Sequence, residues 1–136
     1  MNIQLDYNEI YEIAKEHFDK EVEVEFAGPK TCKVSAGIEM PIVRKVISVS
    51  LNVDIDEVRD NTVYLTVSGN PLIDMLLPAG IAMIENSVGD MVETESGGKV
   101  IVNLNKCSKL EQVLKYATLS DINFDEDSAH FIVNKV

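Results

Sequence analysis

Asp121, Asn123, Asp125 and Asp127 stand at every second position, the spacing at which a calcium loop presents its first oxygen ligands. The pattern then breaks. Glu126 stands where that loop's sharp turn requires glycine, and Ile132 where its bidentate glutamate belongs. Ile122 and Phe124 alternate with the acids as on a half-buried strand, so a strand and a turn are expected here and not a calcium site. His17, His130, Cys32 and Cys107 are the histidines and cysteines of the chain. They share no short ligand spacing, which predicts no metal and no cofactor. Cys107 precedes a helix start, where a thiolate is favoured, yet a lone cysteine ordinarily packs as a small hydrophobe. Ser96-Gly97-Gly98-Lys99 lacks the P-loop spacing, and no G-x-S-x-G marks a nucleophilic serine. Asp54, Asp56, Glu57 and Asp60 could pair carboxylates for acid–base work, but acids at a hairpin end are expected to be solvated turn residues. No catalytic residue is assigned.

The chemistry-poor stretch 70–89 is the most distinctive. Asn70 and Pro71 suit a helix start, and Gly89 suits its end. Between them nearly every residue is apolar, with Asp74 and Glu85 on a narrow strip. A central apolar helix is expected over about 71–88, kinked near Pro78. Leu72, Met75, Leu76, Ile81, Met83 and Ile84 are the candidate contacts to a partner or ligand. The uninterrupted apolar run covers only 75–84, too short for a membrane span.

With 136 residues, 46% apolar and 26% charged, the chain is expected to form a single domain over 1–136. Its net charge of −11 argues against nucleic acid, and Arg44-Lys45 is the one adjacent basic pair. The first residues read as a capped helix and not as a signal segment, so two reduced thiols in a cytoplasm are expected.

The elements that position these residues follow from period and punctuation. Asp6 and Glu9 form a capping box for an amphipathic helix over 7–18, with Leu5 and Ile10 placed as a hydrophobic staple. Val22, Val24 and Phe26, then Cys32, Val34 and Ala36, alternate with polar residues as a hairpin. Ile38, Met40 and Ile42 continue on even positions, whereas Ile47, Val49, Leu51, Val53 and Ile55 occupy odd ones. A bend between Pro41 and Val46 is expected to reconcile the two. Val63, Leu65 and Val67 follow as the partner strand. Residues 91–95 and 99–104 form a hairpin about Ser96-Gly97-Gly98. Ser108 and Glu111 form a second capping box for a helix over 109–118. Residues 122–124 pair with a last strand over 129–133.

These readings predict an α+β fold, with one curved, mainly antiparallel sheet packed on or around the central helix. No motif ties the chain to a family. The expected function is a non-enzymatic, soluble module that self-associates or docks a protein partner through apolar surface. The alternative is a carrier or sensor holding an apolar small molecule or lipid between helix and sheet. An enzyme built from dispersed acids and histidines ranks third.

Overall fold

A computed structural model describes residues 1–40, 45–71, 73, 77, 89–107 and 110–135. The elements are β1 (Asn2–Asp6), α1 (Tyr7–Phe18), β2 (Val22–Gly28), β3 (Thr31–Met40), β4 (Lys45–Arg59) and β5 (Thr62–Ser68). They continue with β6 (Val92–Glu95), β7 (Lys99–Asn103), α2 (Glu111–Leu114), β8 (Ala117–Phe124) and β9 (Ser128–Lys135). The strands form two antiparallel sheets, one of order β1-β9-β8 and one of order β2-β3-β4-β5-β7-β6.

This corrects the expected architecture. Strands account for 61% of the described residues, in sheets of three and six, with two short helices and no single sheet wrapped on a central apolar helix. What the period of two reveals is which face of a strand is buried, not what buries it. Here Val63 of β5 packs with Leu119 and Ile122 of β8, so sheet lies against sheet. Ile55, Val58, Leu65, Val102 and Phe131 pack around that cluster. Of the stretch 71–88, Ile73 and Leu77 have helical backbone, and the Ile73 N–H donates to the Asn70 carbonyl at 3.2 Å. Pro78 and most of the stretch lie outside the described residues.

The strands expected from alternation are present, most of them with wider bounds, while β6 and β7 each fall one residue short of the expected 91–95 and 99–104. Cys32, Val49, Val63, Val67 and Val100 are buried, while Lys33, Ser48, Ser50 and Asn52 are exposed. Leu51, central to the expected strand, is half-buried. Glu25 faces Lys33 across the β2–β3 pair, and the Ser35 and Ser50 hydroxyls meet at 2.8 Å. The chain reverses between Met40 and Lys45, which are paired in register; the expected bend residues 41–44 lie outside the described residues.

Two bulges align residues that strict alternation would separate. One extra residue in β4, between Ile55 and Glu57, lets Ile55 and Val58 meet the same core. Another in β8, between Leu119 and Asp121, lets Leu119 and Ile122 do so. Gly98 has φ +78, and a Cβ there would stand 2.1 Å from the Val67 carbonyl oxygen, so only glycine fits the β6–β7 turn against β5.

The helix over 7–18 is present with its capping box: the Glu9 N–H donates to Asp6 Oδ1 at 2.8 Å, and the Asp6 N–H to Glu9 Oε1 at 3.1 Å. The helix expected over 109–118 is cut to Glu111–Leu114, because Ala117 and Thr118 pair with Lys135 and Asn134 as the start of β8. Ser108 lies outside the described residues, and the position before the helix is Leu110, which has no side-chain cap. Strand β1 was not expected. Its cue, Ile3 and Leu5 alternating with Asn2 and Gln4, is too brief to compete with the adjoining helix signal, and its partner β9 lies at the other end of the chain.

Candidate functional site

The densest polar cluster lies where β1 and α1 meet the β8–β9 turn. That turn closes with the Asp125 N–H donating to the Ser128 carbonyl at 2.9 Å. Asp125 Oδ1 accepts the N–H groups of Asp127 (2.8 Å) and Ser128 (2.7 Å), a local bond that aspartate makes readily in turns. The Ser128 hydroxyl donates to the same carboxylate at 3.0 Å and receives Gln4 Nε2 at 3.0 Å. His130 Nε2 is held on Asp125 Oδ2, while its Nδ1 faces the Asn2 amide at 3.1 Å. The Tyr7 hydroxyl donates to the Asp125 carbonyl at 2.5 Å.

Aspartate, histidine and serine together raise the question of nucleophilic catalysis. A triad needs the imidazole to bridge the other two, with one ring nitrogen for each. Here Ser128 Oγ, at 3.3 Å, and Asp125 both approach Nε2. Ser128 is also 0% exposed, out of reach of any substrate. The cluster therefore ties the first strand and helix to the last hairpin. The hydrogen bond from His130, joined by backbone N–H groups, holds the Asp125 carboxyl well below the usual range. Burial, reinforced by Asp125, pushes the Tyr7 phenol up.

The other candidates are dispersed. Asp121 meets Lys30 Nζ, which also donates to the Ile122 carbonyl at 3.0 Å, fastening the β2–β3 turn to β8. Burial pulls the Asp121 carboxyl upward, but the Lys30 bond and the Ile122 N–H outweigh it and hold it low. The stretch 121–127 is the expected strand and turn. Asp54 accepts the Thr31 hydroxyl at 2.5 Å, Asp56 accepts that of Thr66, and Glu57 pairs with Arg59 at 3.6 Å. Each acid thus serves its own neighbour. Among the described residues no three His, Cys, Asp or Glu side chains gather to hold a metal. Cys32 is buried, and burial, then Asp54, pushes its thiol up to about 11; both cysteines are free thiols.

Two concavities among the described residues are open to solvent and edged with acids. One of about 480 Å³ lies between Asp19, Glu21 and Glu23 on one side and Gly37, Val46 and Ser48 on the other. Another, of about 310 Å³, lies between Tyr7 and Tyr11 of α1 and Glu23 and Glu25 of β2.

No protein-family model, curated protein or solved structure matches the chain.

Leu72, Met75, Leu76, Ile81, Met83 and Ile84, the expected contacts, lie outside the described residues. Among the described residues, no helix is long and apolar enough to cross a membrane. What the sequence reading missed is a surface. Residues 37–40 of β3 extend beyond the last β2 partner, Ala36, and residues 45–51 of β4 extend beyond the last β5 partner, Asn52. This projecting ribbon exposes Val46 (71%) and Ile47 (40%). The unequal lengths of the apolar runs 47–55 and 63–67 hinted at such an overhang.

Proposed function

We propose that the chain is a non-enzymatic interaction module that self-associates, or docks a protein partner, through apolar surface. The projecting β3–β4 ribbon is the observation that carries this reading. A two-stranded ribbon in water is marginal by itself. This one nevertheless extends past its sheet with Val46 and Ile47 exposed, and a protein chain laid against it would bury that surface. The carrier reading calls for an enclosed apolar cavity, and the described concavities are instead open and edged with acids. Sedimentation over a wide concentration range tests the reading. The average mass is expected to climb above that of one chain as concentration rises. A constant mass of one chain, with lipid co-purifying in native mass spectrometry, would favour the carrier.

A further inference from the structure

An unpaired row of N–H and C=O groups along a strand is a template for another strand, and proteins ordinarily blunt such edges with charge, bulges or brevity. This molecule does so at most of them. β2 exposes Glu23 and Glu25, β6 has 4 residues including Glu93 and Glu95, and β8 is bulged between Leu119 and Asp121. Residues 45–51 of β4 are different. They pair with β3 on one side without a bulge, and among the described residues no strand pairs with their other side, since the pairing of β4 with β5 begins at Asn52, opposite Ser68. Past Lys45 this edge holds Val46, Ile47, Ser48, Val49, Ser50 and Leu51, with no charge and no proline.

We infer that a second copy of the chain pairs with this edge, strand β4 against strand β4, antiparallel about a two-fold axis at Ser48. The inference rests on the interaction-module reading and names its partner. Charge favours a second copy at this place: residues 40–53 contain Arg44 and Lys45 and no acid, in a chain of net charge −11. The edge itself therefore sets no acid against its own image, where most of this acidic surface would. Pattern favours the register. Directly opposed residues share a face, so a slip by one position would set the apolar odd residues against the polar even ones. With Ser48 opposite Ser48, Ile47 meets Val49, Val46 meets Ser50 and Lys45 meets Leu51. That arrangement pairs the whole open edge and keeps the two Lys45 side chains at opposite ends. A slip by two positions preserves the faces but leaves part of the edge unpaired. The contact is isologous, closes on itself and removes the exposed edge from both copies.

The axis supplies the test, because any charge placed at Ser48 meets its own image. Ser48→Lys and Ser48→Glu alter an exposed side chain and should each keep the native circular dichroism spectrum. Each variant by itself is expected to sediment at the mass of one chain where the unmodified protein is a dimer. An equimolar mixture of the two is expected to recover the dimer, as Lys then faces Glu across the axis. If the unmodified protein and both single variants associate alike, pairing at the β4 edge is overturned while the interaction-module reading stands. If the unmodified protein remains one chain at every concentration, self-association and this inference fall together.

Discussion

Truncating Leu119 to alanine is expected to lower folding stability by about 2–5 kcal/mol, the range for removing a buried leucine side chain. Leu119 is 8% exposed and packs with Val63 and Ile122 at the junction of the two sheets. The loss therefore falls on both sheets at once: β8 loses its packing on β5, and the cavity opens where neither sheet can close it alone. Urea unfolding should show a lower midpoint with an unchanged denaturant slope. Val113→Ala, on the exposed side of α2 at 56%, should change stability by less than about 0.5 kcal/mol. Equal losses from the two variants would mean that Leu119 is not part of the shared core.

The second large effect is expected at Asn61, which performs three tasks in one position. It has φ 61, the second left-handed residue after Asp60 at 53, as a two-residue hairpin turn between β4 and β5 requires. Its carbonyl accepts the Leu104 N–H at 2.9 Å, and its side chain donates to Asn105 Oδ1 at 3.2 Å. Its Oδ1 accepts the Leu119 N–H at 2.8 Å, directly across the junction of the sheets. Asn61→Ala leaves that buried N–H without its acceptor and forces a Cβ-bearing residue lacking asparagine's tolerance into the left-handed region. The combined cost is about 2–4 kcal/mol. Asn61→Gly relieves the backbone but still strands the N–H, so its stability should fall between the original protein and the alanine variant. Alanine and glycine variants of equal stability would remove the conformational part of this explanation; two variants without loss would remove both parts.

The contrast between these two residues shows what sequence could and could not convey. The alternation through Val22, Val24 and Phe26, through Ile47–Ile55 and through Val63–Val67 is a local consequence of the strand's geometry, and the strands are there. The Asp6–Glu9 capping box is equally local. Leu119 was hidden because the bulge after it breaks the period that would have joined it to Ile122. The role of Asn61 has no local cue, because its partner Leu119 lies far along the chain and no nearby pattern encodes that bond. The pairing of β1 with β9 is non-local for the same reason. The helix expected over 109–118 yielded its end to β8, since the pairs Ala117 with Lys135 and Thr118 with Asn134 override helical spacing. The ribbon edge at residues 45–51 showed itself only once the lengths of β4 and β5 could be compared in register.

The two sheets are expected to unfold as one cooperative core, and native-state hydrogen exchange tests this most directly. Among the described residues, two amides cross between the sheets: that of Leu119, donating to Asn61 Oδ1, and that of Phe124, donating to the Pro29 carbonyl at 2.8 Å. Both are expected to exchange as slowly as the ladder amides of β5, and with the same denaturant dependence, because opening either requires global unfolding. Rapid exchange at Leu119 and Phe124 while β5 stays protected would show the β1-β9-β8 sheet separating by itself, and would contradict the shared core.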